Sequence, residues 1–149
     1  MLKNYKFHFN IGSLCLFLII MLPNFIWFAV PAPHDILRTE SVTPLIDTVA
    51  QVSQVLMIAA LCILINRRRK EQGLTPWIIG VLTFCLLYYI SWGFYYAGIT
   101  ITGVVLGLTI PPCLAFLSFA IDRKNWIAVI PCVIFTLCHI IYAMVNYII

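Results

Sequence analysis

Five long apolar stretches divide the chain, over 9–30, 44–65, 76–96, 99–121 and 126–148. Each approaches the roughly 20 helical residues needed to cross a hydrocarbon layer about 30 Å thick. The segments between them are PAPHDILRTESVT, NRRRKEQGLT, a tight turn at Ala97–Gly98, and DRKN. Links this short make consecutive helices antiparallel neighbours and leave no room for a separate soluble domain. The pattern predicts an all-α membrane protein: five transmembrane helices in an antiparallel bundle, one domain over 1–149.

Polar positions inside these stretches recur with helical spacing. Asn24 and Trp27 are three apart; Asp47, Gln51 and Gln54 follow at i, i+4 and i+7. Tyr88, Ser91, Trp92 and Tyr95 share one face of the third span, as do His139, Tyr142 and Asn146 in the fifth. The opposite halves of the spans, such as GSLCLFLIIML and VLMIAALCILI, are almost purely apolar. Unsatisfied polar groups are costly in hydrocarbon, so the stripes should turn inward and converge. At 1.5 Å per residue, Gln54 and His139 fall about 12–15 Å below one surface, close to the midplane. The expected result is a polar-aromatic pocket over an apolar floor, lined by Asn24, Trp27, Gln51, Gln54, Ser91, Trp92, Tyr95, His139 and Tyr142. Each residue also has a plainer reading. The tyrosines and Trp92 suit an interfacial belt, and the amides and His139 suit helix-to-helix hydrogen bonding. Asp47 suits the start of a helix whose N-cap and first proline are Thr43 and Pro44.

The fourth span carries different signals. Gly103 and Gly107 stand four apart, the spacing that lets membrane helices approach closely. Pro111 and Pro112 remove two backbone donors near its middle, so a kink or break is expected near Thr109. Broken helices at the midplane build transporter sites, which opens a transport reading.

Charge fixes a threading. Of the nine Lys and Arg, only Arg38 lies on the side of the 31–43 loop; the other eight flank the opposite ends of the spans. The positive-inside rule then puts the N-terminus in the cytoplasm and the C-terminus outside. Lys3 and Lys6 ahead of an apolar run resemble a signal peptide, but the run is too long and Pro31 and Pro33 spoil the cleavage site, so the first span is retained. Composition agrees with the membrane assignment: 63% hydrophobic, 9% charged, mean hydropathy +1.04. A soluble enzyme, a nucleic-acid-binding module and a disordered tail are excluded.

Chemistry-bearing motifs are sparse. No HExxH, GxSxG, P-loop or dinucleotide fingerprint occurs. The six cysteines sit inside apolar stretches and read as small hydrophobes. His34, Asp35, Arg38 and Glu40 form a solvated loop with local ion pairing, and match no metal-ligand spacing. No metal and no cofactor are expected.

The stretch PNFIWFAVPAPHDILRTESVTPLIDTVAQVSQVLMIAALC, Pro23–Cys62, resembles a segment of small uncharacterised multi-spanning bacterial membrane proteins. The resemblance implies a bacterial cytoplasmic membrane and no particular activity. In span count the chain is also similar to the translocator (tryptophan-rich sensory) proteins, but it lacks their tryptophan–proline motifs. The leading expectation is a non-enzymatic binding or sensing protein taking a small organic ligand from outside. Two alternatives remain open: a small transporter or transporter subunit with a site near Pro111 and Pro112 of the fourth span, its pathway completed by a homo-oligomer or a partner membrane protein, and an interaction, accessory or immunity protein.

Overall fold

The computed structural model describes residues 2–68 and 73–149; Arg69 and Lys70 of the second basic cluster lie outside the described residues. Five helices form: α1 (Ile11–Ala29), α2 (Pro44–Ile63), α3 (Pro76–Tyr96), α4 (Thr102–Asp122) and α5 (Trp126–Ala143), the last extended by a π-helical turn over Met144–Ile148. Each helix is long and apolar enough to cross a membrane. Their starts follow local chemistry. Proline opens α2 and α3 where no donor is needed. Thr75 accepts from Ile78 N at 3.2 Å and Asn125 from Ala128 N at 3.3 Å, capping α3 and α5. Thr75 Oγ1 also donates to Asp122 Oδ1, joining the start of α3 to the end of α4. Between α3 and α4 the chain reverses at Gly98, whose φ of +85° favours glycine.

In space α3, α4, α5 and α2 pack in that order, and α1 closes the ring from α2 back to α3. The two ends of the bundle differ. One, the loop end, carries residues 30–43. At the other, the basic end, β1 (Tyr5–Phe7) pairs antiparallel with β2 (Leu64–Asn66), the continuation of α2.

This small sheet has a physical cause. The last four carbonyls of a helix have no partner within it. Here all four of α2 find one: His8 N donates to Ile63 O at 2.9 Å, Asn10 N to Cys62 O at 2.8 Å, Ser13 Oγ to Leu61 O at 2.8 Å and Asn125 Nδ2 to Ala60 O at 2.9 Å. The N-terminal segment and the α4–α5 turn thus converge on one helix end.

The fourth helix departs from expectation in two ways. It runs as one helix through Pro111 and Pro112, both buried within the bundle, so of the kink or break expected near Thr109 the break does not form. Thr109 turns its hydroxyl back to Val105 O at 2.8 Å. Nor do Gly103 and Gly107 form a common close-packing face: a side chain at Gly103 would meet nothing within 4 Å, whereas one at Gly107 would collide with Ser91 of α3.

Gly107→Ala should therefore destabilise the bundle by about 1–3 kcal/mol, the usual range for overpacking. Gly103→Ala should be neutral or slightly stabilising, and Ser91→Ala should restore part of the Gly107→Ala loss. Unfolding in detergent micelles distinguishes the three; equal effects at the two glycines would contradict this packing.

Candidate functional site

The ring of helices encloses a cavity of about 370 Å³ toward the loop end, to which all five contribute. Ile20, Met21, Asn24 and Trp27 come from α1, and Asp47, Gln51 and Gln54 from α2. Tyr88 and Trp92 project from α3, His139 and Tyr142 from α5. Leu108, Pro112, Phe116 and Phe135 supply an apolar floor. The helical spacing places these side chains on inward faces, as the cost of polar groups in hydrocarbon requires.

Seven of the nine side chains expected to converge line this space: Asn24, Trp27, Gln51, Gln54, Trp92, His139 and Tyr142. Ser91 and Tyr95 are placed elsewhere. Ser91 is wedged against Gly107 and donates to Leu87 O at 2.9 Å. Tyr95 is fully buried, and its hydroxyl donates to Asp35 Oδ1 at 2.8 Å in the loop above.

Some lining groups are already engaged. Asn24 Nδ2 donates to Ile20 O at 3.1 Å and to the Tyr88 hydroxyl at 2.7 Å. The Tyr142 and Tyr147 hydroxyls share a hydrogen bond of 2.5 Å. His139 stacks between Phe135 and Tyr142, its ring centroid 5.0 and 6.3 Å from theirs. Others are unmatched. The Trp92 indole N–H is buried without an acceptor among the described residues. The side chains of Gln51, Gln54 and His139 border the cavity with no hydrogen-bond partner among the described residues. Asp47 accepts from Thr43 Oγ1 at 3.1 Å, and among the described residues no cationic side chain pairs with it.

The 31–43 loop supplies a roof at the loop end. Leu37 dips into the cavity from a short 3-10 turn, Ile36–Arg38. Asp35 pins this turn: its carboxylate accepts from Trp27 Nε1 at 2.9 Å, Tyr95 Oη at 2.8 Å and Arg38 Nε at 2.8 Å. Arg38 in turn lies over the Trp27 ring at 4.8 Å. Burial opposes ionisation of Asp35, but the hydrogen bonds from Trp27, Tyr95 and Arg38 and from the Ala32 backbone outweigh it. The carboxyl is held below the ordinary aspartate value of 3.8. Further along, Val42 N donates to Asn146 Oδ1 at 2.8 Å and Asn146 Nδ2 to Thr43 Oγ1 at 2.9 Å, fastening the loop to the C-terminal turn.

Asp35, Asp47, Tyr88 and Tyr147 are the residues that sequence reasoning left out of the site. For Asp35 a signal existed: an acid three residues before Arg38, in a loop opened by two prolines, beneath which Trp27 needs an acceptor. Among the described residues no group of three or more His, Cys, Asp or Glu is placed to hold a metal ion. No protein-family model, no curated protein and no solved structure matches the chain.

Proposed function

We propose that this is a non-enzymatic binding or sensing protein of a bacterial cytoplasmic membrane, threaded N-terminus in, whose cavity takes a small organic ligand on the outer side. One observation carries the reading: a roofed cavity of ligand size bordered by hydrogen-bonding groups that the protein leaves unmatched. Pockets for small ligands run from about 300 to 1,000 Å³, mostly apolar with a few polar groups placed to fix orientation. A buried polar group without a partner is costly, and a ligand offering an acceptor to the Trp92 indole recovers that cost while Gln51, Gln54 and His139 border the same space with further donors and acceptors. The Asp47 carboxylate and the surrounding rings favour a head group that is a cation or a donor.

The test is titration of tryptophan fluorescence with alkyl and aryl amines and their neutral alcohol counterparts. A saturable change is expected, with affinity about tenfold weaker in Gln54→Leu and in His139→Leu, as loss of one hydrogen bond of about 1.4 kcal/mol implies. Identical titrations in wild type and both variants would remove the cavity from the function.

A further inference from the structure

We propose that the cavity is loaded sideways, from the lipid phase, through a gap between α1 and α2 in the half of the membrane nearest the loop end. This rests on the binding reading above and specifies the ligand class: an amphiphile dissolved in the bilayer, with an apolar body and a compact hydrogen-bonding head.

The attachments of α1 create the gap. At the basic end α1 and the segment before it are bonded to α2, through His8 N, Asn10 N and Ser13 Oγ onto the carbonyls of 61–63. Toward the loop end the side-chain ties from α1 and its C-cap to another helix run instead to α3. Tyr89 Oη donates to Ile19 O at 2.7 Å, Asn24 Nδ2 to Tyr88 Oη at 2.7 Å, and Tyr96 Oη to Val30 O at 2.7 Å. Beyond Ser13 no side-chain hydrogen bond joins α1 to α2 among the described residues. The hydrogen bonds of α1 thus pass from one neighbour to the other along its length, leaving its loop-end half without a side-chain tie to α2 among the described residues.

The residues along the two edges fit an opening. Met21, Asn24 and Phe28 on α1 and Asp47, Gln51 and Gln54 on α2 all line the cavity. Spacings of three, four and seven make each set a single edge stripe. Phe28 lines the cavity and is 66% exposed, and Gln51, which also lines it, is likewise exposed. Such exposure in wall residues of both helices is what an opening between them would produce. The α1–α2 connection does not bar it. Leu37 N reaches Tyr95 of α3 and Val42 N reaches Asn146 beyond α5, so the loop circles over the far helices before entering α2. That same detour roofs the cavity against water, with Leu37 as its inner surface. On this route the amphiphile enters from lipid beneath the roof rather than through it.

Single-cysteine labelling in lipid vesicles tests the route without a ligand. The six native cysteines are replaced by alanine, with the fully buried Cys113 and Cys132 retained if the cysteine-free chain is unstable. Gln54→Cys reports on the cavity, Leu56→Cys on the lipid-facing side of α2, and Glu40→Cys on the aqueous loop. Two maleimides are compared, one lipid-soluble (pyrene maleimide) and one sulfonated and membrane-impermeant. The lipid-soluble reagent should label Gln54→Cys within about tenfold of its rate at Leu56→Cys, and Met21→Trp, which plugs the gap, should slow Gln54→Cys at least tenfold while leaving Leu56→Cys unchanged. The sulfonated reagent should label Gln54→Cys at least about a hundredfold more slowly than Glu40→Cys. Phe28→Ala, which widens the aperture, provides a second variant and should speed the lipid-phase reaction. Rapid labelling of Gln54→Cys by the sulfonated reagent overturns the proposal. So does lipid-phase labelling indifferent to Met21→Trp, or no labelling by either reagent. Lipid-phase labelling with no saturable amine or alcohol titration would retain the route and remove the binding reading; saturable titration with aqueous labelling would do the reverse.

Discussion

Asn125→Ala is expected to lower the unfolding free energy of the bundle by about 3 kcal/mol, more than any single substitution in the cavity. One amide serves two helix ends. Its Nδ2 donates to Ala60 O and Leu64 O, both at 2.9 Å, and its Oδ1 accepts from Ala128 N, the cap of α5. The residue is only 2% exposed, so water does not replace what is lost. Loss of a helix cap costs about 1 kcal/mol and each buried acceptor left without a partner about 1–3 kcal/mol. Ala60 O keeps the bond from Leu64 N, which holds the sum near the lower end. Two further substitutions separate the roles. Asn125→Ser keeps a capping oxygen and should recover about 1 kcal/mol of the loss. Asn125→Asp keeps the cap but sets a carboxylate oxygen against two carbonyls, and should be at least as damaging as alanine. Thermal unfolding in micelles, followed by size exclusion, orders the three; an asparagine replaceable by alanine without loss would mean that this junction does not hold the bundle together.

The helices were legible because the hydrophobic pattern states them directly. Pro76–Tyr96 coincides with its predicted span, and the other four differ only at their ends. Those ends are where the pattern is silent. The residues after Ile63 look apolar enough to continue α2, yet they form β2, because the N-terminal segment and Asn125 compete for the terminal carbonyls. That competition is tertiary and leaves no periodic trace. In the cavity, helical spacing pointed Gln51, Gln54, His139 and Trp92 toward a common space, since period alone sets a helix face. It could not separate Ser91 and Tyr95 from Trp92, because neighbouring positions on one face meet different elements: Ser91 meets Gly107 and Tyr95 meets the roof. The unbroken α4 carries a similar lesson. Proline removes a donor and a preferred geometry, but buried neighbours on both sides hold the helix through Pro111 and Pro112.

Release of the roof by Asp35→Asn is the second large effect expected, and acid should reproduce it in the wild-type protein. The carboxylate, 10% exposed, collects Trp27, Tyr95 and Arg38. Hydrogen bonds to a charged group are worth about 1.5–3 kcal/mol each, so a neutral amide that also turns a donor toward this cluster should cost the closed roof about 3 kcal/mol. Tyr95, fully buried, is then left with a weakened acceptor. The direction with pH follows from the depressed pKa. A carboxyl held below 3.8 in the folded roof stabilises it above that value, and the contribution disappears as pH falls through the folded pKa. Amide hydrogen exchange over Ile36–Arg38 should therefore be slow in the wild type at neutral pH and accelerate below pH 3.8. In Asp35→Asn it should be fast throughout, with the pH-dependence of intrinsic exchange divided out. Glu40→Gln serves as the control, because it removes a carboxylate from the same loop but one that takes no part in the cluster. Slow exchange in Asp35→Asn would transfer the anchoring to the Val42–Asn146–Thr43 bonds at the other side of the loop. Fast exchange carries a consequence for access: with the roof free, the sulfonated maleimide should reach Gln54→Cys from water, so the same carboxylate that fixes the loop would also decide from which phase the cavity is entered.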